Sequence, residues 1–267
     1  MFDNILLVGC GNMAGAMLEG WLAAGLDPAR FIVVEPSDRE LPDGVARHRA
    51  VPRAGDFDAI LLGVKPQLLG EVAPGVAPLA RAGTTVLSLL AGVELATLAE
   101  RFPGAAAHVR VMPNLAVSLG KAPIGLVERG LNDEGRAALI ELMRPLGLPE
   151  WVGEADFDLV TALVGSGPAF AYRFIDALAA AAADLGLPRE QAERMALAMT
   201  EGAAALAVAS ADSPGELANR VASPGGMTRE GLDVLDADGA LVKLLAETLR
   251  AARDRGAELA VQARNRR

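Results

Sequence analysis

Two glycine-rich stretches of this chain carry the residue types needed to hold an anion with backbone N–H groups. The first is Gly9-Cys10-Gly11-Asn12-Met13-Ala14, directly after an apolar run that ends at Val8. A tight turn at Gly9, close approach of a pyrophosphate at Gly11 and a helix start offering free N–H groups would together bind a dinucleotide. Ala14 stands where that pattern asks only for a small residue against the strand. The candidate contacts are Val8, Gly9, Cys10, Gly11, Asn12 and Met13. A structural glycine turn or a mononucleotide site would use the same residues. The second stretch is Ser223-Pro224-Gly225-Gly226-Met227-Thr228. Here Ser223 is expected to cap a helix with Pro224 as its first residue, while Gly225 and Gly226 leave N–H groups open to a small anion. An ordinary capped helix start is the plain alternative.

Side chains add less chemistry than backbone. Glu35 lies 24 residues after Gly11, where a carboxylate accepts hydrogen bonds from an adenosine ribose diol and favours NAD. Ser37 and Arg39 point the other way, to the 2′-phosphate of NADP, so both cofactors stay open. Cys10 is the sole cysteine, which excludes an intramolecular disulfide and a cysteine-held metal cluster. His48 and His108 are the two histidines, far apart in sequence and read as structural or surface groups, and no metal site is expected. Tyr172 and Trp151 are read as packing residues, Arg229 and Glu230 as solvated ones.

These residues need elements to position them. Short apolar runs at 5–8, 31–34, 59–62, 84–87, 106–111, 123–127 and 148–152 read as buried strands. Helical spacing fills 12–24, 67–79, 94–101 and 133–143. Strands alternating with helices predict an α/β doubly wound, mostly parallel sheet. From about residue 154 alanine dominates and strands stop; 157–164, 168–185, 189–209 and 241–263 read as helices, with Gly186-Leu187-Pro188 as a stop and restart. The expected domains are therefore an α/β one over 1–153 and an all-α one over 154–267, packed directly without a low-complexity linker.

A chain of 267 residues suits two domains. Its 52% hydrophobic content against 22% charged excludes disorder. The net charge of −9 opposes binding to nucleic acid or to anionic membranes. The first residues lack the basic region of a signal peptide, and the apolar stretch at 169–187 is interrupted by Arg173, Asp176 and Asp184, so a cytoplasmic protein is expected.

Further segments identify a resemblance. Gly63-Val64-Lys65-Pro66 follows the third strand, and Ser88-Leu89-Leu90-Ala91-Gly92-Val93 follows the fourth. Then come Arg110-Val111-Met112-Pro113-Asn114 and Val164-Gly165-Ser166-Gly167-Pro168. In this order, with the two glycine stretches, they resemble the pyrroline-5-carboxylate reductase family over nearly the whole chain. The resemblance implies an N-terminal Rossmann domain and a C-terminal helical domain that supplies substrate contacts and dimerisation. It implies NADPH- or NADH-dependent reduction of the cyclic imine pyrroline-5-carboxylate to L-proline. Gly63, Val64, Lys65, Pro66, Ala91, Gly92 and Asn114 would then line the nicotinamide crevice, although Lys65 also reads as a solvated loop charge.

By the same resemblance Ser223, Gly225, Gly226, Met227 and Thr228 would hold the substrate carboxylate, and the Thr228 hydroxyl would orient the ring nitrogen as the catalytic contact. Leu115-Ala116 departs from the family's usual Thr-Pro, and Glu35 stands where relatives more often carry a small or hydroxyl residue. A reductase of another cyclic imine and a non-catalytic dinucleotide sensor remain as alternatives. A β-hydroxyacid dehydrogenase relative is disfavoured, because Lys243 is the only lysine after Lys121 and lacks that family's motif.

Overall fold

In the computed structural model, which describes residues 2–265, the chain divides into two compact units. Met1, Arg266 and Arg267, which the two expected domains include, lie outside the described residues. The first unit runs to Gly165 and also takes in the chain from Ala252; the second runs from Ser166 to Ala251.

The first unit is built on one sheet. Its strands are β1 (Ile5–Val8), β2 (Phe31–Val34), β3 (Ala46–His48), β4 (Ala59–Leu62), β5 (Thr85–Ser88), β6 (Ala107–Met112), β7 (Ala122–Arg129) and β8 (Gly147–Trp151). Their order is β3-β2-β1-β4-β5-β6-β7-β8, parallel except where β7 runs against β6. The helices of this unit are α1 (Asn12–Ala23), α2 (Leu69–Val76), α3 (Leu95–Arg101), α4 (Asp133–Met143) and α5 (Phe157–Val160).

Alternate strand residues face opposite sides of the sheet. Ile5, Leu7, Phe31, Val33, Leu61 and Val109 pack with Met17, Leu18 and Trp21 of α1 and Leu139 and Met143 of α4. Leu6, Ile60, Leu62 and Val86 pack on the other side with Leu69 and Val76 of α2 and Leu98 of α3. Both faces are covered, which is why these strands read as unbroken apolar runs. Trp21 stacks on Phe31 with ring centroids 5.4 Å apart, and its indole N–H donates to the Leu142 carbonyl at 2.8 Å.

Several expectations are corrected. β3 was not anticipated. The helix expected over 67–79 is α-helical only over α2, which itself contains Pro74, and is flanked by tight turns at Pro66–Leu68 and Ala77–Leu79. The helix expected over 157–164 is α5 followed by one wide π turn, Thr161–Gly165.

The second unit contains α6 (Gly167–Asp184), α7 (Arg189–Ala209), α8 (Pro214–Val221), α9 (Met227–Asp236) and the start of α10 (Ala240–Asn265). α6 and α7 pack through small residues, Ala179, Ala192 and Ala196, reversing at Gly186 with φ +113. Tyr172, expected as a packing residue, is 70% exposed, and Leu206 and Val208 on α7 are exposed as well. Among the described residues no helix is long and apolar enough to cross a membrane.

Candidate active site

The strand register sets one working edge. Val8 lies opposite Val34 and Leu62, Leu62 opposite Ser88, and Ser88 opposite Arg110. The residues that follow these strand ends therefore emerge side by side: the Gly9 loop, Glu35, Gly63 to Pro66, and Ala91 with Gly92. Asn114 follows the end of β6 on the same edge, since β6 runs parallel to β5. Ligands of doubly wound sheets bind outside this edge where the strand order reverses, here between β1 and β4.

Three glycines shape the first cradle, each for a different reason. Gly9 has φ +86, and a Cβ there would stand 2.8 Å from Val64 Cγ1. A Cβ on Gly63 would meet the Gly9 carbonyl oxygen at 2.6 Å and Ala14 Cβ at 2.7 Å, so β1 and β4 close on each other only through glycine. Gly11 is different. It is exposed, its φ of −68 suits any residue, and the nearest atom to a Cβ would be Gly63 O at 3.9 Å. Gly11 is the N-cap of α1, no side chain caps the helix, and its first turn holds no acidic residue. The first N–H groups of α1, from Asn12 and Met13, thus have no intrahelical acceptor and face an uncrowded space. This fits a pyrophosphate.

Glu35 is held rather than loose. Cys10 N–H donates to its Oε2 at 3.1 Å; Ser37 N–H and the Ser37 hydroxyl donate to its Oε1 at 3.0 and 2.7 Å. Partial burial alone would raise the Glu35 pKa, but the Ser37 hydroxyl, the two N–H donors and the charge of Arg39 carry it below the usual carboxylate value. Cys10 is buried, and that burial pushes its thiol up despite the charge of Arg39, so it remains a protonated packing residue.

Across the edge, Lys65 is exposed and its carbonyl accepts from Leu68 N–H at 2.9 Å, opening the Pro66–Leu68 turn. Gly92 has φ +74 and is buried beside exposed Ala91. Asn114 is 7% exposed and spends its amide inside the protein: Nδ2 donates to the Val164 carbonyl at 3.1 Å, and Oδ1 accepts from Ala116 N–H at 2.9 Å. It fixes the start of the 115–119 turn to the π turn.

Arg110 has a role that sequence reading missed. Its side chain is 4% exposed, 3.6 Å from Glu154 and 3.9 Å from Asp158, and its guanidinium lies 3.9 Å from the Phe157 ring centroid. Burial pushes its pKa down, and Glu154 and Asp158 push it back up. Glu154 also accepts Leu95 N–H at 2.8 Å, capping α3. The available signal was a charge inside a strand that is buried throughout, which must find a partner.

The second glycine stretch lies in the second unit. Ser223 is not the N-cap that its sequence position suggested. Gly226 N–H donates to the Ser223 carbonyl at 2.9 Å and Gly225 has φ +68, so Ser223 to Gly226 form a tight turn and α9 begins three residues later than expected. Gly226 is the N-cap, again without a side-chain cap; Met227 and Thr228 are the first helical residues and both are exposed. Arg229, expected to be solvated, is tied to Asp233 at 2.8 Å and Asp236 at 3.2 Å. Trp151 packs under Arg136, whose guanidinium is 4.4 Å from the ring centroid, and His108 is buried with Nε2 3.0 Å from the Phe102 carbonyl.

Residues 154–259 match the pyrroline-5-carboxylate reductase dimerisation family, and residues 4–92 match the family described as NADP oxidoreductase coenzyme F420-dependent. The pyrroline-5-carboxylate reductase of Pseudomonas aeruginosa is 34% identical over 97% of both chains. This chain belongs to the pyrroline-5-carboxylate reductase family. The Methanosarcina acetivorans reductase is 32% identical, covering 96% of this chain and 98% of its own. The solved pyrroline-5-carboxylate reductase of Coxiella burnetii superposes with a TM-score of 0.88 at 32% identity, over 97% and 99% of the two chains. In this family member the dimerisation match opens at residue 154, beside the expected boundary at Gly153, whereas the compact units divide between Gly165 and Ser166.

Proposed function

We propose that this reductase converts pyrroline-5-carboxylate to L-proline, using NADPH or NADH. The observation that carries the reading is the open, uncapped start of α1 at Gly11, set between two glycines that admit no side chain. The loop from Gly9 to Met13 surrounds the pyrophosphate with Val8 beneath it, and the N–H groups of Asn12 and Met13 bind it, since Gly9 N–H donates to the Val34 carbonyl and Cys10 N–H to Glu35. Glu35 and Ser37 face the adenosine ribose. Gly63, Val64, Lys65, Pro66, Ala91, Gly92 and Asn114 line the nicotinamide half. The reduced nicotinamide supplies a hydride to the imine carbon.

The protein's own residues bind and orient the substrate. Ser223, Gly225, Gly226 and Met227 form the carboxylate cradle at the start of α9, where the N–H groups of Met227 and Thr228 and the helix dipole favour an anion; contrary to expectation, Gly226 N–H is already given to the Ser223 carbonyl. The Thr228 hydroxyl orients the ring nitrogen, which carries a proton in the form that accepts hydride most readily. A threonine hydroxyl is a weak acid, so its part is positioning of that nitrogen rather than proton supply. The exposed apolar residues of α6 and α7 are covered by a second copy of the chain. The enzyme works in the cytoplasm.

The test is reduced-nicotinamide absorbance followed with pyrroline-5-carboxylate as substrate. Turnover with either dinucleotide is expected; binding without turnover would make the protein a sensor instead. Thr228→Val is expected to lower kcat/KM about tenfold to a hundredfold, the loss of about 1–3 kcal/mol for one hydrogen bond. An unchanged kcat/KM removes Thr228 from the mechanism.

A further inference from the structure

We propose that Glu35 makes this enzyme select NADH over NADPH, with Ser37 and Arg47 acting to keep it in place. The inference rests on the reading of the β1–α1 loop as the dinucleotide cradle. Val34 and Val8 are in register, so Glu35 leaves the sheet level with Gly9. A carboxylate here faces the adenosine ribose in sheets of this order.

What sets this Glu35 apart is how firmly it is placed. Three donors hold it: Cys10 N–H from the cradle itself, and the N–H and hydroxyl of Ser37. A carboxylate offers roughly four lone-pair sites, so a position remains for a ribose hydroxyl. A 2′-phosphate, by contrast, would bring two negative charges against an anion that three hydrogen bonds hold in place.

The groups that would offset that repulsion are committed elsewhere. The Ser37 hydroxyl, a natural phosphate donor, already donates to Glu35. Arg47 donates to the carbonyls of Ser37 and Arg39, and Arg49 to Asp38 and the Pro36 carbonyl, so both guanidinia brace the 36–39 loop. Arg39 remains. Its guanidinium lies over Gly15, where a Cβ would come 2.8 Å from one terminal nitrogen, and it makes no side-chain hydrogen bond among the described residues. One guanidinium without a side-chain hydrogen bond, beside a held carboxylate, weakens the discrimination without reversing it.

The test is the dissociation constant of each dinucleotide, measured by calorimetric titration on the full chain, alongside kcat/KM for each. Wild type is expected to bind NADH at least about tenfold tighter than NADPH. Glu35→Gln removes the charge and keeps one acceptor oxygen, enough for the two Ser37 donors that share Oε1 but not also for Cys10 N–H on Oε2, and should shrink that ratio about tenfold or more. Arg39→Ala should widen it. Tighter NADPH binding by wild type, or a ratio unmoved by Glu35→Gln, overturns the assignment. Should Glu35→Gln fail to fold, the wild-type ratio and its response to Arg39→Ala decide alone. If neither dinucleotide binds, the functional reading fails; if both bind and turn over but NADPH is preferred, only the role of Glu35 fails.

Discussion

Gly11→Ala separates a glycine kept for a ligand from one kept for packing. At Gly11 the backbone has φ −68, and the new Cβ would have Gly63 O at 3.9 Å as its nearest neighbour, an ordinary contact. Alanine is a poorer N-cap than glycine by up to about 1 kcal/mol, while the loss of unfolded-chain entropy returns about 0.4–1 kcal/mol. The fold should change by less than about 0.5 kcal/mol on these terms. The same methyl would stand over the helix start where phosphate oxygens must reach N–H groups, and each charge-assisted bond is worth about 1.5–3 kcal/mol. Weakening one of them predicts dinucleotide binding about tenfold to a hundredfold poorer. Gly63→Ala is the control: its Cβ would meet Gly9 O at 2.6 Å and Ala14 Cβ at 2.7 Å, so backbone must move. Overpacking of that kind costs about 1–3 kcal/mol, or a Tm drop of about 2–4 °C per kcal/mol in a chain this size. Thermal melts and dinucleotide titration of both variants make the comparison. A Gly11→Ala protein that binds as wild type would refute the cradle.

Two further predictions concern stability. Burial lowers the His108 pKa below 6.5, only partly offset by the Phe102 carbonyl, so folding favours the neutral ring. This contribution is complete above pH of about 6.5 and is lost as pH falls from there toward the folded value; urea melts between pH 8 and 5 should show an acid loss that His108→Gln reduces. Arg110→Met removes a guanidinium that is 4% exposed, but Glu154 and Asp158 are 41% and 31% exposed and keep some water. The expected loss is therefore about 1–3 kcal/mol rather than the 3–5 of a fully buried pair, and an equally stable variant would show that the cluster does not hold the α5 segment to β6.

The central strands were legible because burial on both faces leaves an uninterrupted apolar run, and β1, β2 and β4 fall on their expected residues. β3 escaped because Ala46, Arg47 and His48 pair on one side only and bury little, as suits a short charged edge strand. The α9 start was misplaced because Ser223 and Pro224 carry the composition of a helix N-terminus, and only the left-handed φ of Gly225 turns them into a preceding loop. The Arg110 partners lie in a segment more than forty residues downstream, beyond the reach of any local pattern.

Glycine as N-cap sets the starts of α1 and α9 apart from those of α2 to α8, of which only α4 and α8 carry a cap from the N-cap side chain. Asn132 caps α4 by accepting Gly135 N–H, and Ser213 and Glu216 close a capping box on α8. α1 and α9 have a glycine N-cap instead, each with a positive-φ glycine at most two residues before it, and neither receives a side-chain cap. A serine in place of Gly11 would stabilise the free protein by a few tenths of a kcal/mol, so at α1 the chain forgoes a stability gain taken elsewhere; at Gly226 a Cβ would meet Ser223 Oγ at 2.5 Å. Under the proposed roles the missing cap is supplied by phosphate at one helix and by carboxylate at the other. A bound anion at about a hundred times its Kd contributes about 2.7 kcal/mol, several times what the serine would, and an oxygen already lodged at the helix start would compete with it for the same N–H groups.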